Sequence, residues 1–194
     1  MQNKFDTHES FYHGLVSSKL WLCEQLELAT YKENLQKPSL HILGCWDNLL
    51  AFMLLTRRPE YYYNVFGYDI NPEAITVANK VCDMWKYESP KVTNIVQDVN
   101  SYDYSVHNNS IFINCSIDQM DSNTWYDSVP KGSLVCVQTT NMKDPDFPWY
   151  IKQTTDSLDE LVNRFNFSTL IYSGVKNIQY QVSGYKRYMI IGLK

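Results

Sequence analysis

Between residues 40 and 70 the chain reads Leu-His-Ile-Leu-Gly-Cys-Trp-Asp-Asn-Leu-Leu, then a helix-like run, then Asn-Val-Phe-Gly-Tyr-Asp-Ile. A short apolar strand, a glycine turn, a helix and a second strand ending in an acid are the arrangement that binds a nucleoside at the carboxyl edge of a sheet. The acid is Asp69, placed to accept hydrogen bonds from both hydroxyls of a ribose. The turn carries one glycine, Gly44, where such loops usually carry two or three.

The pattern continues on both sides. From Phe11 to Leu28 apolar residues recur at mixed three and four spacing, which predicts an amphipathic helix before the sheet. Leu40–Leu43 predicts the first strand, and Asn48–Thr56 a helix apolar on most sides and therefore buried; Tyr63–Tyr68 is the second strand. Asn71-Pro72-Glu73 supplies a polar cap, a proline at the first helical position and an acid in the first turn, so a helix should run through Val81. Val92–Gln97, Ser110–Asn114 and Ser133–Gln138 predict three more strands, with a short helix over Asp121–Ser128. Near-continuous apolar strands alternating with helices argue for a parallel sheet covered on both faces. The tail predicts a helix over Ser157–Phe165 and strands over Ser168–Tyr172 and Lys186–Ile191, with Ser173-Gly174 and Ser183-Gly184 as turn signals. Two strands without a helix between them should close the sheet as an antiparallel hairpin.

Composition narrows the function classes. The net charge of −4 leaves no global positive field for holding a polyanion, which disfavours nucleic acid as the main partner. Fifteen tyrosines and five tryptophans lack the interleaved basic residues of a base-stacking surface. The five cysteines stand singly and read as small buried hydrophobes in a reducing compartment; no metal site is expected, because His8 and His13 fall on different faces of a helix. No apolar run approaches the roughly 20 residues needed to span a bilayer, and residues 1–10 lack the pattern of a signal peptide. The expectation is one cytoplasmic domain over residues 1–194, with 1–36 as an N-terminal helical extension.

Five parallel strands, alternating helices and a terminal antiparallel pair resemble the class I S-adenosylmethionine-dependent methyltransferases, a Rossmann-like doubly wound α/β fold with a mostly parallel seven-stranded sheet. The resemblance covers most of residues 38–194. The acid-x-Gly-x-Gly-x-Gly loop of that family is matched by His41-Ile42-Leu43-Gly44-Cys45-Trp46-Asp47-Asn48, with the acid position read at His41 and Gly44 the only glycine retained. Val65 to Ile75 looks like the second motif of the family nearly residue for residue. The resemblance implies that Asp69 holds the ribose and Ile70 packs on the adenine. It also implies that Asp98 accepts from the adenine amino group while Val99 offers a backbone donor. Gly44, Cys45 and Trp46 would border the methionine portion. Asn114, at the end of the fourth strand, falls near the transferred methyl and is the candidate catalytic residue.

Methyl transfer from a sulfonium needs alignment and exclusion of water more than acid or base chemistry, so no catalytic triad is expected. Asp118, Gln138, Asn141 and the aromatic stretch Asp146–Tyr150 are the candidates for the acceptor side. A small-molecule acceptor is favoured over a large polyanion. Trp46 divides the reading: a glycine position needing positive φ should not accept its ring without redirecting the loop. Either the ring turns outward or along the ligand and the site works, or it fills the cofactor space and the chain is a catalytically degenerate binding or assembly protein. A nucleotide- or dinucleotide-dependent enzyme on a similar sheet is a third reading.

Overall fold

The computed structural model describes residues 11–87, 89–143, 151–179 and 184–194. Seven strands form one sheet: β1 (Ser39–Leu43), β2 (Asn64–Asp69), β3 (Lys91–Val96), β4 (Ser110–Asn114), β5 (Leu134–Thr140), β6 (Thr169–Gln179) and β7 (Gly184–Leu193). Their spatial order is β3-β2-β1-β4-β5-β7-β6, with β1 to β5 parallel and β7 antiparallel to both β5 and β6. The chain starts at the sheet centre, winds outward to β3, and returns across β1 to β4. The switch between β1 and β4 opens a crevice at their carboxyl ends.

Among the described residues five helices cover the sheet: α1 (His13–Lys32), α2 (Leu49–Arg57), α3 (Pro72–Val81), α4 (Trp125–Ser128) and α5 (Leu158–Arg164). The alternation of side chains along β1 sends Leu40 and Ile42 into one core and Leu43 into the other. On the first face Trp21, Leu22 and Leu26 of α1 and Leu50, Leu54 and Leu55 of α2 pack together with Ile75 of α3. Trp125, Tyr126, Leu161 and Phe165 cover the second face with Tyr104. The capping sequences act as their residue types dictate. The Asn71 side chain accepts from Glu73 N at 2.9 Å, and Ser157 Oγ accepts from Glu160 N at 3.1 Å.

Three local expectations need correction. The predicted helix over Asp121–Ser128 shrinks to Trp125–Ser128, because residues 116–122 are spent on a 3-10 turn and loop beneath β4. Ser173-Gly174 is not a turn but lies inside the 11-residue strand β6. Glycine is required there by close approach: a Cβ would collide with the Tyr172 hydroxyl and lie 3.1 Å from Trp21 Cζ2. Trp21 Nε1 donates to Tyr172 Oη at 3.1 Å, so this glycine makes room for the contact that ties α1 to the sheet edge. The third strand also stops at Val96, one residue before its predicted end.

Candidate functional site

The loop between β1 and α2 keeps the backbone of a glycine-rich turn while replacing most of its glycines. Gly44, Trp46 and Asn48 all have left-handed backbones, with φ of 65°, 55° and 54°. A Cβ on Gly44 would sit 2.9 Å from Ser116 Cβ, and Ser116 Oγ donates to the Gly44 carbonyl at 3.0 Å. The loop is therefore not redirected by Trp46, contrary to the expectation. Left-handed geometry costs a bulky residue roughly 1–2 kcal/mol. Opposing that cost, Trp46 N donates to Asp69 Oδ2 at 2.9 Å, a hydrogen bond to a charged acceptor of a kind that contributes about 1.5–3 kcal/mol. The ring is half-buried, turned along the crevice. Counted back from Gly44, the acid position of the loop falls on Ile42, not on His41. Ile42 is buried and apolar, and His41 points into the opposite core.

Asp69 closes β2 at 9% exposure. Its Oδ1 accepts from Asn71 N and its Oδ2 from Trp46 N, both at 2.9 Å, so one carboxylate pins the first loop to the start of α3. Burial pushes its carboxyl up, while the hydrogen bonds from Asn71, Trp46 and Ile70 pull it down. An ionised carboxylate has about four acceptor sites, so with three backbone donors in place it keeps acceptor capacity for a ligand hydroxyl. Ile70 beside it is 70% exposed, an apolar side chain held at the crevice by its neighbours rather than by burial. Asp98 caps the turn after β3, its Oδ1 accepting from Asn100 N at 2.9 Å. Val99 is buried, and its carbonyl accepts from Tyr104 Oη at 3.3 Å.

These residues surround a cavity of about 390 Å³, within the range of small-ligand sites. Gly44, Trp46, Asp69, Ile70, Asp98 and Val99 line it. Cys45 and Asn114 do not. Cys45 is turned beneath the loop, and its N–H donates to the Tyr68 carbonyl at 2.8 Å. Asn114 is fully buried with both ends of its amide engaged: Oδ1 accepts from Ser116 N at 3.0 Å and Nδ2 contacts Met120 Sδ at 3.4 Å.

Reading the sequence alone missed the far wall, which is built from Ser116, Gln119, Met120, Asp121, Ser122 and Lys152. The first five follow the carboxyl end of β4, the same edge that bears Asp69 and Asp98, which was the available signal. Lys152 is brought in by long-range bonds: its N–H and that of Gln153 donate to the Asp118 carbonyl at 2.7 and 3.0 Å, and its Nζ to Asp121 Oδ2 at 2.6 Å. Of the acceptor-side candidates, Gln138 is committed to α1, accepting from Ser18 Oγ at 2.7 Å. Asn141 Oδ1 accepts from Lys186 N at 2.7 Å, and Asp118 faces a second, smaller cavity. Asp146–Tyr150 lies outside the described residues. Among the described residues there is no cluster of metal-ligating side chains, and no helix is long and apolar enough to cross a membrane.

No protein-family model and no curated protein sequence matches the chain. Solved structures do. A magnesium protoporphyrin IX methyltransferase from Synechocystis PCC 6803, determined with S-adenosylmethionine bound, aligns with a TM-score of 0.59 at 12% identity, covering 92% of this chain and 81% of the other. The N-methyltransferase NodS of Bradyrhizobium japonicum gives 0.59 at 10% identity, over 95% of this chain and 99% of that one. A methyltransferase of plantazolicin, solved with S-adenosylhomocysteine, gives 0.52 at 11% identity, over 80% and 76%. The chain has the class I S-adenosylmethionine-dependent methyltransferase fold, Rossmann-like and doubly wound, with the antiparallel hairpin at the β5 side of the sheet.

Proposed function

We propose that this chain binds S-adenosylmethionine and transfers its methyl group to a small acceptor. The observation that carries the reading is convergence: six residues named from the sequence as cofactor contacts, drawn from the ends of three strands, line one cavity of about 390 Å³. The residues fit the group. Gly44 lines the cavity with bare backbone, and Asp69 keeps acceptor capacity for the ribose beyond its backbone donors. Ile70 offers apolar surface to the adenine and Val99 its backbone donor, and Asp98 stands at the same wall as an acceptor for the amino group. When bound, the cofactor supplies a methyl group on a positively charged sulfur, ready for displacement by a nucleophile. The protein's own part is to hold the nucleoside and keep water out, with Trp46 and Met120 as the apolar walls nearest Gly44. Asn114 acts as a positioning residue: its buried amide holds the turn from which Ser116 reaches Gly44.

A second reading is supported by Trp46 itself. An aromatic side chain in the second glycine position narrows the crevice, as in a relative that keeps the fold without the chemistry. Calorimetric titration with S-adenosylmethionine and S-adenosylhomocysteine decides between them. Saturable binding is expected, and Asp69→Ala should weaken it about 100-fold, since two hydrogen bonds to a charged acceptor contribute on the order of 3 kcal/mol. Circular dichroism of the variant checks that the loss is not unfolding. A folded protein that gives neither heat nor thermal shift with either ligand refutes the methyltransferase reading.

A further inference from the structure

A helix that covers a sheet buries one face and turns a polar one to water. α1 departs from that rule. Trp21, Leu22, Leu26 and Ala29 are buried in the core, yet on the outer side Leu20 is 41% exposed, Leu28 64% and Tyr31 85%. Exposed apolar residues scattered singly are ordinary, but these three share one helix face. Leu20, Glu24, Leu28 and Lys32 stand four residues apart and form one ridge, with Tyr31 on the ridge beside it, three residues from Leu28. Glu24 and Lys32 are exposed, and among the described residues neither takes part in an ion pair. Glu27, on the side toward α2, is different. It is closed on Arg57, whose Nε donates to Oε1 at 2.6 Å and Nη2 to Oε2 at 3.0 Å. The contact between α1 and α2 therefore has its own matched charges, and those of the ridge are left over.

We infer that this ridge is the interface of a homodimer, in which α1 packs antiparallel against α1 of a second copy across a two-fold axis beside Leu28. The order of residues selects that occupant. From Glu24 through Leu28 to Lys32 the ridge reads acid, apolar, base, and reversed it reads base, apolar, acid. The i±4 ridges of two packed helices lie side by side in each other's grooves, which sets Leu28 against the partner's Leu28. Each Glu24 then meets the partner's Lys32, twice in one interface, with Tyr31 beside the apolar centre. An unrelated partner would need a matching pattern of its own, whereas a second copy carries it by symmetry. The contact is isologous, so assembly closes at two subunits. From Leu20 to Lys32 the ridge is about 18 Å long at 1.5 Å per residue, short for an obligate interface, so the dimer is reversible. The ridge contains none of the residues lining the larger or the smaller cavity, and the inference stands apart from the methyltransferase reading.

Sedimentation velocity of the full chain from about 1 to about 200 μM measures the dissociation constant of the dimer, expected in the micromolar range. Glu24→Lys puts two bases at each polar contact and Lys32→Glu two acids, so either variant should weaken association tenfold or more. The double variant Glu24→Lys/Lys32→Glu restores opposite charges and should return it to within about threefold of the wild type. Leu28→Gln should also weaken it tenfold or more. All three positions are exposed, and circular dichroism checks that each variant is folded. A wild type that stays monomeric to about 200 μM overturns the inference and leaves the ridge to a different partner. A dimer that the single charge reversals leave unchanged, or that the double reversal fails to restore, overturns it as well and places the contact elsewhere.

Discussion

Lowering the pH should destabilise this protein through one imidazole in the sheet. His41 is fully buried in β1, its ring stacked between Phe66 and Phe112 of the flanking strands at centroid distances of 5.0 and 4.8 Å. Nδ1 lies 3.0 Å from Tyr68 Oη, and among the described residues Nε2 has no partner. Burial, with the neighbouring His107 adding to it, pushes its pKa down to about 3. In the unfolded chain it titrates near 6.5. A base whose folded pKa is depressed binds its proton first in the unfolded state, so its contribution is intact above pH 6.5 and is lost progressively as the pH falls toward 3. Between pH 7.5 and pH 5.0 the linkage amounts to about 2 kcal/mol. Urea unfolding of the wild type and His41→Leu at both pH values measures it. The substitution changes absolute stability by losing the Tyr68 contact, but that loss is common to both conditions. Asp69 and Asp118, whose carboxyls burial pushes up, work in the opposite direction and cancel between the two proteins. The wild type should therefore lose about 2 kcal/mol more than the variant on acidification. Parallel losses, differing by less than about 0.5 kcal/mol, would show that the proton finds His41 in the folded state and refute the argument.

Three further outcomes follow from single contacts. Trp46 is the one tryptophan among the described residues that lines the larger cavity, so saturation with S-adenosylhomocysteine should alter the emission, and Trp46→Phe should remove at least half of that change; an undiminished amplitude would place the ligand elsewhere. Asn48 is left-handed and donates to Asn94 Oδ1 at 2.7 Å, so Asn48→Ala should cost about 2 kcal/mol and Asn48→Gly about half of that, since only glycine takes the left-handed backbone without strain. Equal or greater stability of the alanine variant in urea would contradict this. Lys194 Nζ donates to the carbonyls of Tyr126, Asp127 and Val129 at the end of α4; Lys194→Met keeps the stem and should lower stability by about 2 kcal/mol, and a loss under ~0.5 kcal/mol would mean water replaces it.

The parts of the molecule legible in the sequence are those determined by local chemistry. Asn71-Pro72-Glu73 starts α3 because each residue meets a need of the first helical turn, and that need is independent of the rest of the chain. The apolar runs of β1, β4 and β5 are buried on both faces, which only a covered parallel sheet allows. Asp69 and Asp98 could be placed because they end strands whose carboxyl edges must coincide. What stayed hidden depends on residues distant in sequence. Lys152 enters the cavity wall through the Asp118 carbonyl, and Gly174 is a strand residue because Trp21, 153 positions earlier, needs the space. Asn114 illustrates the opposite error. Its position at a strand end was legible, but whether its amide faced the crevice or the turn depended on Ser116 and Met120, which carry no signature of their own.

Trp46 shows why a damaged motif is a weaker argument than it looks. A glycine pattern records backbone conformation, and the glycines are needed only where no other interaction supports that conformation. Here Asp69 supplies the support, because its carboxylate takes the Trp46 N–H at the point where φ is positive. The same acid that is proposed to hold the ribose thus stabilises the loop that lacks its glycines. Loop shape and ligand acceptor are coupled through one side chain, so Asp69→Ala should perturb the Trp46 emission even without ligand. A conservative Asp69→Asn, which keeps one carbonyl acceptor but loses the charge and presents an N–H₂ to a backbone donor, should do so nearly as strongly.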